Sequence, residues 1–175
     1  KRKNNLVMHM LTLSKYENQD KIYHRQEINL NEIIEAVIES LKSTIEKRKI
    51  EIVIESIDLY YLANYEEMFQ LYKNLIENAV KYGKQNGVVD ISLYEKKENI
   101  IFKVSDDGVG IPKEEQTRVF ERFFRVDKAR SKTTGGTGLG LSIVKHIINK
   151  HNGEIQVSSK LGEGSQFMIK LPLES

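Results

Sequence analysis

The order of its periodicities constrains this chain most. Three stretches carry apolar residues at helical spacing. The first runs through Leu30, Ile33, Ile34, Val37, Ile38, Leu41 and Ile45, the second covers residues 64–82, and the third covers residues 139–150. Between and after them lie short segments of strand character. Ile50, Ile52 and Ile54 alternate, and residues 88–94, 100–105, 154–159 and 165–171 follow. Asn29 precedes Glu32, and Asn64 precedes Glu67, at capping-box spacing, with Ile28 and Ile33 placed as a hydrophobic staple. Asn152-Gly153 is a stop signal for the third helix. A further short helix is expected over 114–124. Strands clustered with three longer helices predict an α+β fold, a two-layer α/β sandwich: one mixed sheet of about five strands with three helices on one face.

Composition narrows the function classes. The 175 residues suffice for one domain and an appended element, and 39% of them are hydrophobic. Lys plus Arg number 27 and Asp plus Glu 25, a balance too even for a bulk nucleic-acid binder. With no cysteine, disulfides, thiolate metal sites and cysteine nucleophiles are excluded. No apolar run approaches the roughly 18 residues of a membrane helix. Residues 1–18 place Leu6, Val7, Met10 and Leu13 at helical spacing, 19–27 read as a polar connector, and 28–175 as the folded domain. The start at Lys1 reads as a fragment cut from a longer protein. His9, His24, His146 and His151 lack metal-like spacing and read as surface or packing residues.

Three segments carry chemistry. On the second helix, at about 100° per residue, Asn78 falls about 40° from Asn74 and Lys81 about 20° to the other side. Glu67, Gln70 and Glu77 share that stripe, opposite an apolar arc. Asparagine is a poor helix-interior residue, because its amide competes for backbone hydrogen bonds. Two on one stripe point to a ligand: amide oxygens suit a hard cation such as Mg²⁺, and lysine suits phosphate. The alternative is a plain solvated face. Next, Asp106, Gly108 and Gly110 follow a strand. The glycines allow close approach, a carboxylate there can accept from an exocyclic amine such as adenine N6, and Ile111 can cover a flat ring. The alternative is a tight turn with a solvated Asp pair. Last, Gly135, Gly136, Gly138 and Gly140, with Thr137 and Leu139, open the third helix, where backbone N–H groups form an anion site. This is neither a Walker A loop nor a dinucleotide fingerprint; the alternative is a flexible linker. Residues 126–137, with Lys128, Arg130 and Lys132, read as a mobile loop.

Taken in order, Asn-x-x-x-Asn-x-x-Lys-Tyr (74–82), Asp-x-Gly-x-Gly-Ile-Pro (106–112), Phe-x-x-Phe-Phe-Arg (120–125) and Gly-x-Gly-Leu-Gly-Leu (136–141) resemble the N, G1, F and G2 boxes of bacterial sensor histidine kinases. The resemblance covers residues 28–173. It implies the Bergerat (GHKL) fold with a mobile ATP lid, and ATP and Mg²⁺ as cofactors. By motif, Asn74 and Asn78 would hold Mg²⁺ and phosphate, Lys81 would meet phosphate and Tyr82 would line the nucleotide. Asp106 would bind adenine N6, supported by Gly108, Gly110 and Ile111. Gly136, Thr137, Gly138, Leu139 and Gly140 would shape the lid and contact phosphates, and Arg125 would lie near the γ-phosphate. Asn74, Asn78, Lys81 and Arg125 form the implied catalytic set.

Residues 1–18 resemble the end of the second helix of the family's dimerisation and phosphoacceptor domain. The acceptor motif needs an acidic residue after the histidine and a proline soon after. His9 is followed by Met10, with no proline near, so it is not the acceptor. The implied partners are a phosphoacceptor histidine domain and a response regulator receiver domain, in a homodimeric full-length protein. The implied location is the cytoplasmic side of a membrane-anchored sensor, reaching the membrane only through upstream segments. Two other readings compete: a GHKL-type ATPase, and a module that binds nucleotide without catalysis. The ATPases carry glutamate at the first N-box position, where this chain has Asn74.

Overall fold

The computed structural model describes residues 24–116, 118–120 and 140–173. The elements are β1 (Gln26–Asn29), α1 (Leu30–Ser40), α2 (Lys42–Arg48), β2 (Glu51–Ser56), β3 (Tyr60–Ala63), α3 (Tyr65–Tyr82), β4 (Val88–Lys96), β5 (Asn99–Asp106), a 3-10 turn (Lys113–Glu115), α4 (Gly140–Lys150), β6 (Glu154–Lys160) and β7 (Gly164–Pro172). Five strands form one sheet in the order β2-β4-β5-β7-β6. β2 runs parallel to β4 and every other neighbour is antiparallel, so the sheet is mixed as expected.

Register explains the core. Ile91 pairs with Val104 and Leu93 with Phe102, which places these four side chains on one face. Across β5, Val104 pairs with Phe167 and Phe102 with Ile169. All six are buried. The apolar arc of α3, including Leu71, Tyr72, Leu75 and Ile76, closes on that face, and the Tyr72 ring stacks on Phe102 with centroids 4.4 Å apart. α3 is the central helix: it lies over β5 and packs against α1 on one side and α4 on the other.

Both asparagine caps form. Asn29 Oδ1 accepts from the backbone N–H groups of Asn31 (2.9 Å) and Glu32 (3.2 Å), and Asn64 Oδ1 accepts from Glu67 N–H at 3.0 Å. α4 stops as its stop signal requires, with Asn152 at φ 57° and Gly153 N–H donating to Ile148 O at 2.9 Å.

Several features differ from the sequence expectation. The periodic run 30–45 is not one helix. It breaks at Leu41, whose backbone leaves helical geometry (φ −103°, ψ 6°) while its side chain stays in the core. A small second sheet pairs β1 with β3, from Gln26 opposite Ala63 to Asn29 opposite Tyr60. β1 opens inside the stretch read as connector, and His24 O accepts from Asn64 Nδ2 at 3.0 Å. Of the helix expected over 114–124, residues 117 and 121–124 lie outside the described residues; the described part begins with a 3-10 turn at Lys113–Glu115. Among the described residues no helix is long and apolar enough to cross a membrane.

His151 is a packing residue, fully buried beside Tyr61. Its Nδ1–H donates to Ile147 O at 2.9 Å. Burial, the largest influence, holds its pKa below the ordinary 6.5; the Ile147 carbonyl and Glu67 oppose that shift, and Arg25 and Lys150 reinforce it. The unfolded chain therefore binds this proton more readily than the folded one, and stability falls as pH drops below about 6.5. We expect urea midpoints to fall between about pH 7.5 and pH 5.5, and a His151→Phe variant to show a smaller fall. An equal fall in both proteins would remove His151 from the acid sensitivity.

Candidate functional site

α3 and α4 meet along the polar stripe of α3. Asn74 is half-buried, and its Nδ2 donates to Gln70 O one turn back, at 2.8 Å. That bond commits the amide nitrogen to the helix and turns Oδ1 towards the start of α4. A Cβ added at Gly140 would lie 2.8 Å from Asn74 Oδ1. At the far end, Lys150 Nζ stands 2.8 Å from Glu67 Oε2. The first residue of α4 thus faces the middle of α3 and its last residue faces the first turn, so the two helices run antiparallel. This corrects the stripe drawn from the sequence. Glu67 shares an angle with Asn74 and Asn78, yet it is fully buried, because the last turn of α4 covers it. The stripe is a helix interface at one end and a site at the other. The first-turn N–H groups of α4, which have no partner within their own helix, point from the same end.

The second wall is the turn after β5. Asp106 Oδ1 accepts from Gly108 N–H at 2.9 Å, a closed Asx turn. Asp107 Oδ2 accepts from Val88 N–H at 3.0 Å, and its Oδ1 is buried without a hydrogen-bond partner. The two aspartates are therefore not a solvated pair; each holds backbone. A Cβ on Gly108 would fall 2.0 Å from Tyr82 O and 2.8 Å from Gly83 Cα, so the turn rests directly on the C-terminal backbone of α3. Gly110 takes φ +75°, a conformation that favours glycine. From below, Arg48 Nη2 donates to Gly83 O at 2.5 Å. Asp106 and the last turn of α3 thus share one corner: the Asp106 Cβ lies 3.6 Å from the position a Gly83 Cβ would take.

The structure therefore sets Asp106, the last residue of β5, and Gly108 against the end of α3 at Tyr82 and Gly83, and Gly140 at the head of α4 against Asn74, with Asn78 and Lys81 on α3 between these two contacts; Gly110 packs instead against Lys160 on the β6 side. Lys81 Nζ stands 3.8 Å from Glu77 Oε2, with both side chains 29% exposed, a weak pair that a stronger anion can displace. Ile111 is buried in the core. Arg125, Gly136, Thr137, Gly138, Leu139 and the basic loop 126–137 lie outside the described residues, as does the segment 1–18 with His9. Neither Arg48 nor Asp107 carries a role in the site expected from the sequence. For Asp107 the doubled aspartate was a usable signal. For Arg48, whose partner is 35 residues away, there was none.

Comparison with known proteins agrees with this geometry. The family profile described as "Histidine kinase-, DNA gyrase B-, and HSP90-like ATPase" matches residues 63–175. The chain is 38% identical over 168 residues to the sensor-like histidine kinase SenX3 of Mycobacterium tuberculosis, covering 95% of this chain and 41% of SenX3. Among solved structures it superposes on the catalytic domain of histidine kinase ThkA with a TM-score of 0.75 and 30% identity, covering 86% of this chain and 97% of that one. It also superposes on ThkA solved in complex with the response regulator protein TrrA, with a TM-score of 0.76 and 26% identity, covering 97% of this chain and 49% of that one. The chain belongs to this ATPase family, and within it to the ATP-binding catalytic domains of sensor histidine kinases.

Gly108 is the position where the turn tolerates least. In Gly108→Ala the added methyl meets backbone, which cannot move aside as a side chain can, and a loss of about 1–3 kcal/mol is expected. In Gly140→Ala it meets only the Asn74 amide, so that variant should keep nearly full stability. Urea unfolding of both variants checks the order, and equal losses would contradict the backbone contact at Gly108.

Proposed function

We propose that this domain binds Mg·ATP between α3, the turn after β5 and the head of α4, and passes the γ-phosphate to a histidine on a phosphoacceptor domain. The observation that carries this reading is the shared corner of Asp106 and the last turn of α3, with Asn74 and Gly140 further along the same helix. A ligand spanning that distance meets a carboxylate first and amides and helix N–H groups last. That order matches a nucleotide, with its amine-bearing base at one end and its anionic tail at the other.

Asp106 reads the base: a carboxylate oxygen accepts from adenine N6, while the Asx turn fixes the carboxylate plane. Tyr82 lines the same end. Lys81 leaves its loose pairing with Glu77 to meet phosphate. Asn74 Oδ1, freed by the commitment of Nδ2 to Gln70, and Asn78 one turn on present hard amide oxygens. Among the described residues no group of three or more His, Cys, Asp or Glu could hold a metal. A cation here would therefore rely on amides, water and the phosphates themselves, the donor set that suits Mg²⁺. Mg²⁺ bound there would neutralise charge on the phosphate tail. Arg125 and residues 136–140 complete the phosphate end. The protein then acts by positioning, with the attacking imidazole supplied by the acceptor domain. A receiver domain takes the phosphate onward, in keeping with the ThkA complex, and the full-length protein works as a homodimer whose upstream segments carry any membrane anchor.

Asn74 also weighs against an autonomous ATPase. An amide does not accept a proton at neutral pH, so it cannot activate water as a glutamate would. The same step needs a base beside the incoming histidine, which favours the kinase reading.

Asp106→Asn should weaken ATP and ADP alike. Losing a charge-assisted hydrogen bond costs about 1.5–3 kcal/mol, or roughly 10- to 150-fold in affinity. Calorimetry on a folded variant with wild-type affinity would remove Asp106 from the adenine site. Asn78→Ala should abolish Mg²⁺-dependent binding and leave stability equal or higher, since alanine is the better helix residue by several tenths of a kcal/mol. A variant that binds Mg·ATP normally but melts early would make Asn78 structural.

A further inference from the structure

Behind the turn that carries Asp106 lies a hydrogen-bond hub that the sequence did not mark. Ser159, near the end of β6, sits at its centre. Ile111 N–H donates to Ser159 Oγ at 2.7 Å, and Ser159 Oγ donates to Gly164 O at 3.0 Å. Ser165 Oγ lies 2.8 Å from Ser159 Oγ. The Ser159 hydrogen is already given to Gly164, so Ser165 is the donor in that pair. One donor and two acceptor sites are all that a hydroxyl owns, and here all three are used. Gln116 adds a brace, with Nε2 donating to Ile111 O at 3.0 Å and to Ser159 O at 3.1 Å. Two residues beyond β6, Gly162 N–H donates to Val109 O at 2.7 Å.

These bonds fasten the turn to the β6–β7 connection along its whole length. The approach is close enough that a Cβ on Gly110 would fall 2.3 Å from Lys160 O, and one on Gly164 would fall 2.1 Å from Asp106 O. Within the turn, Asp106 Oδ1 fixes its neighbour Gly108. What holds the turn against the rest of the sheet on the β6 side is the hub. Ile111 and Ser165 are both buried, while Ser159 is half-buried and with Gln116 borders an open cleft, so a bond lost at the hub is shielded from water on the core side only.

We propose that Ser159, braced by Gln116, is a positioning residue for the adenine end of the site, setting nucleotide affinity without touching the nucleotide. This rests on the reading of Asp106 as the adenine acceptor. Ser159→Ala removes the acceptor of Ile111 N–H and releases the turn. Because the released turn serves the part common to ATP and ADP, both should weaken by the same factor, roughly 3- to 30-fold, and their ratio should hold. Ser159→Thr keeps the hydroxyl and should restore binding.

The experiment measures ATP and ADP affinity calorimetrically for Ser159→Ala, Ser159→Thr, Gln116→Leu and Asp106→Asn, at a temperature where each is folded by circular dichroism, with hydrogen exchange followed at Ile111. Weaker binding of both nucleotides in Ser159→Ala, faster exchange at Ile111 and rescue by threonine support the role. Gln116→Leu, which leaves Ser159 in place, should weaken both nucleotides less and in the same ratio; it carries the test if Ser159→Ala does not fold. Unchanged affinity in folded Ser159→Ala, or in folded Gln116→Leu should alanine not fold, would overturn the proposal, and so would a changed ATP-to-ADP ratio. If Asp106→Asn weakens both nucleotides while these variants do not, the positioning role alone fails. If Asp106→Asn binds normally, the adenine reading fails and takes the proposal with it.

Discussion

Everything at the site depends on one backbone contact, the seating of the turn after β5 on the C-terminal end of α3. Gly108 allows it, because any side chain there would overlap Tyr82 O. Arg48 ties down Gly83 O from one side, and Asp107 ties the turn to the first residue of β4 from another. With that contact in place, a strand-end carboxylate and a helix stripe share a coordinate frame. Without it, Asp106 would belong to a loop and Asn74 to a separate helix. Sites held on rigid elements in this way keep their geometry better than sites on free loops.

α3 is asked to do two things, and its sequence divides accordingly. Its apolar arc is core, stacked on the sheet through Tyr72 and Phe102. Its polar stripe is split lengthwise. The N-terminal part is sealed by α4, where Glu67 meets Lys150, and the C-terminal part lies beside the head of α4 and the turn. A buried ion pair is weak support for stability, since desolvation offsets its attraction. Its geometric effect is plainer: it holds the end of α4 to the first turn of α3 and so helps place the head of α4 beside Asn74.

Much of this was legible in the residues. The three helical periods and the alternating segments predicted the sandwich, and Asn29, Asn64 and Asn152 marked helix ends because capping is local chemistry. What could not be read was non-local. Leu41 continues the apolar period, so nothing in the pattern announces the break there. β3 is four residues long and finds its partner in β1, across α1, α2 and β2. Glu67 looked like a member of the asparagine stripe because a helical wheel carries no knowledge of what packs against it. Asn74, Asp106 and Gly108 were conspicuous because each is locally unfavourable or conformationally special. Ser159 and Gln116 were not, since an edge-strand serine and a turn glutamine are ordinary choices until the fold joins them.

The most direct test of the account is a crystal structure of this chain with Mg²⁺ and a non-hydrolysable ATP analogue. The account predicts an Asp106 carboxylate oxygen within about 2.7–3.2 Å of adenine N6, the phosphate tail running along α3 past Asn78 to Asn74, and the head of α4 facing the phosphates. An adenine seated away from Asp106, or a phosphate tail that does not approach Asn74 and Asn78, would contradict it.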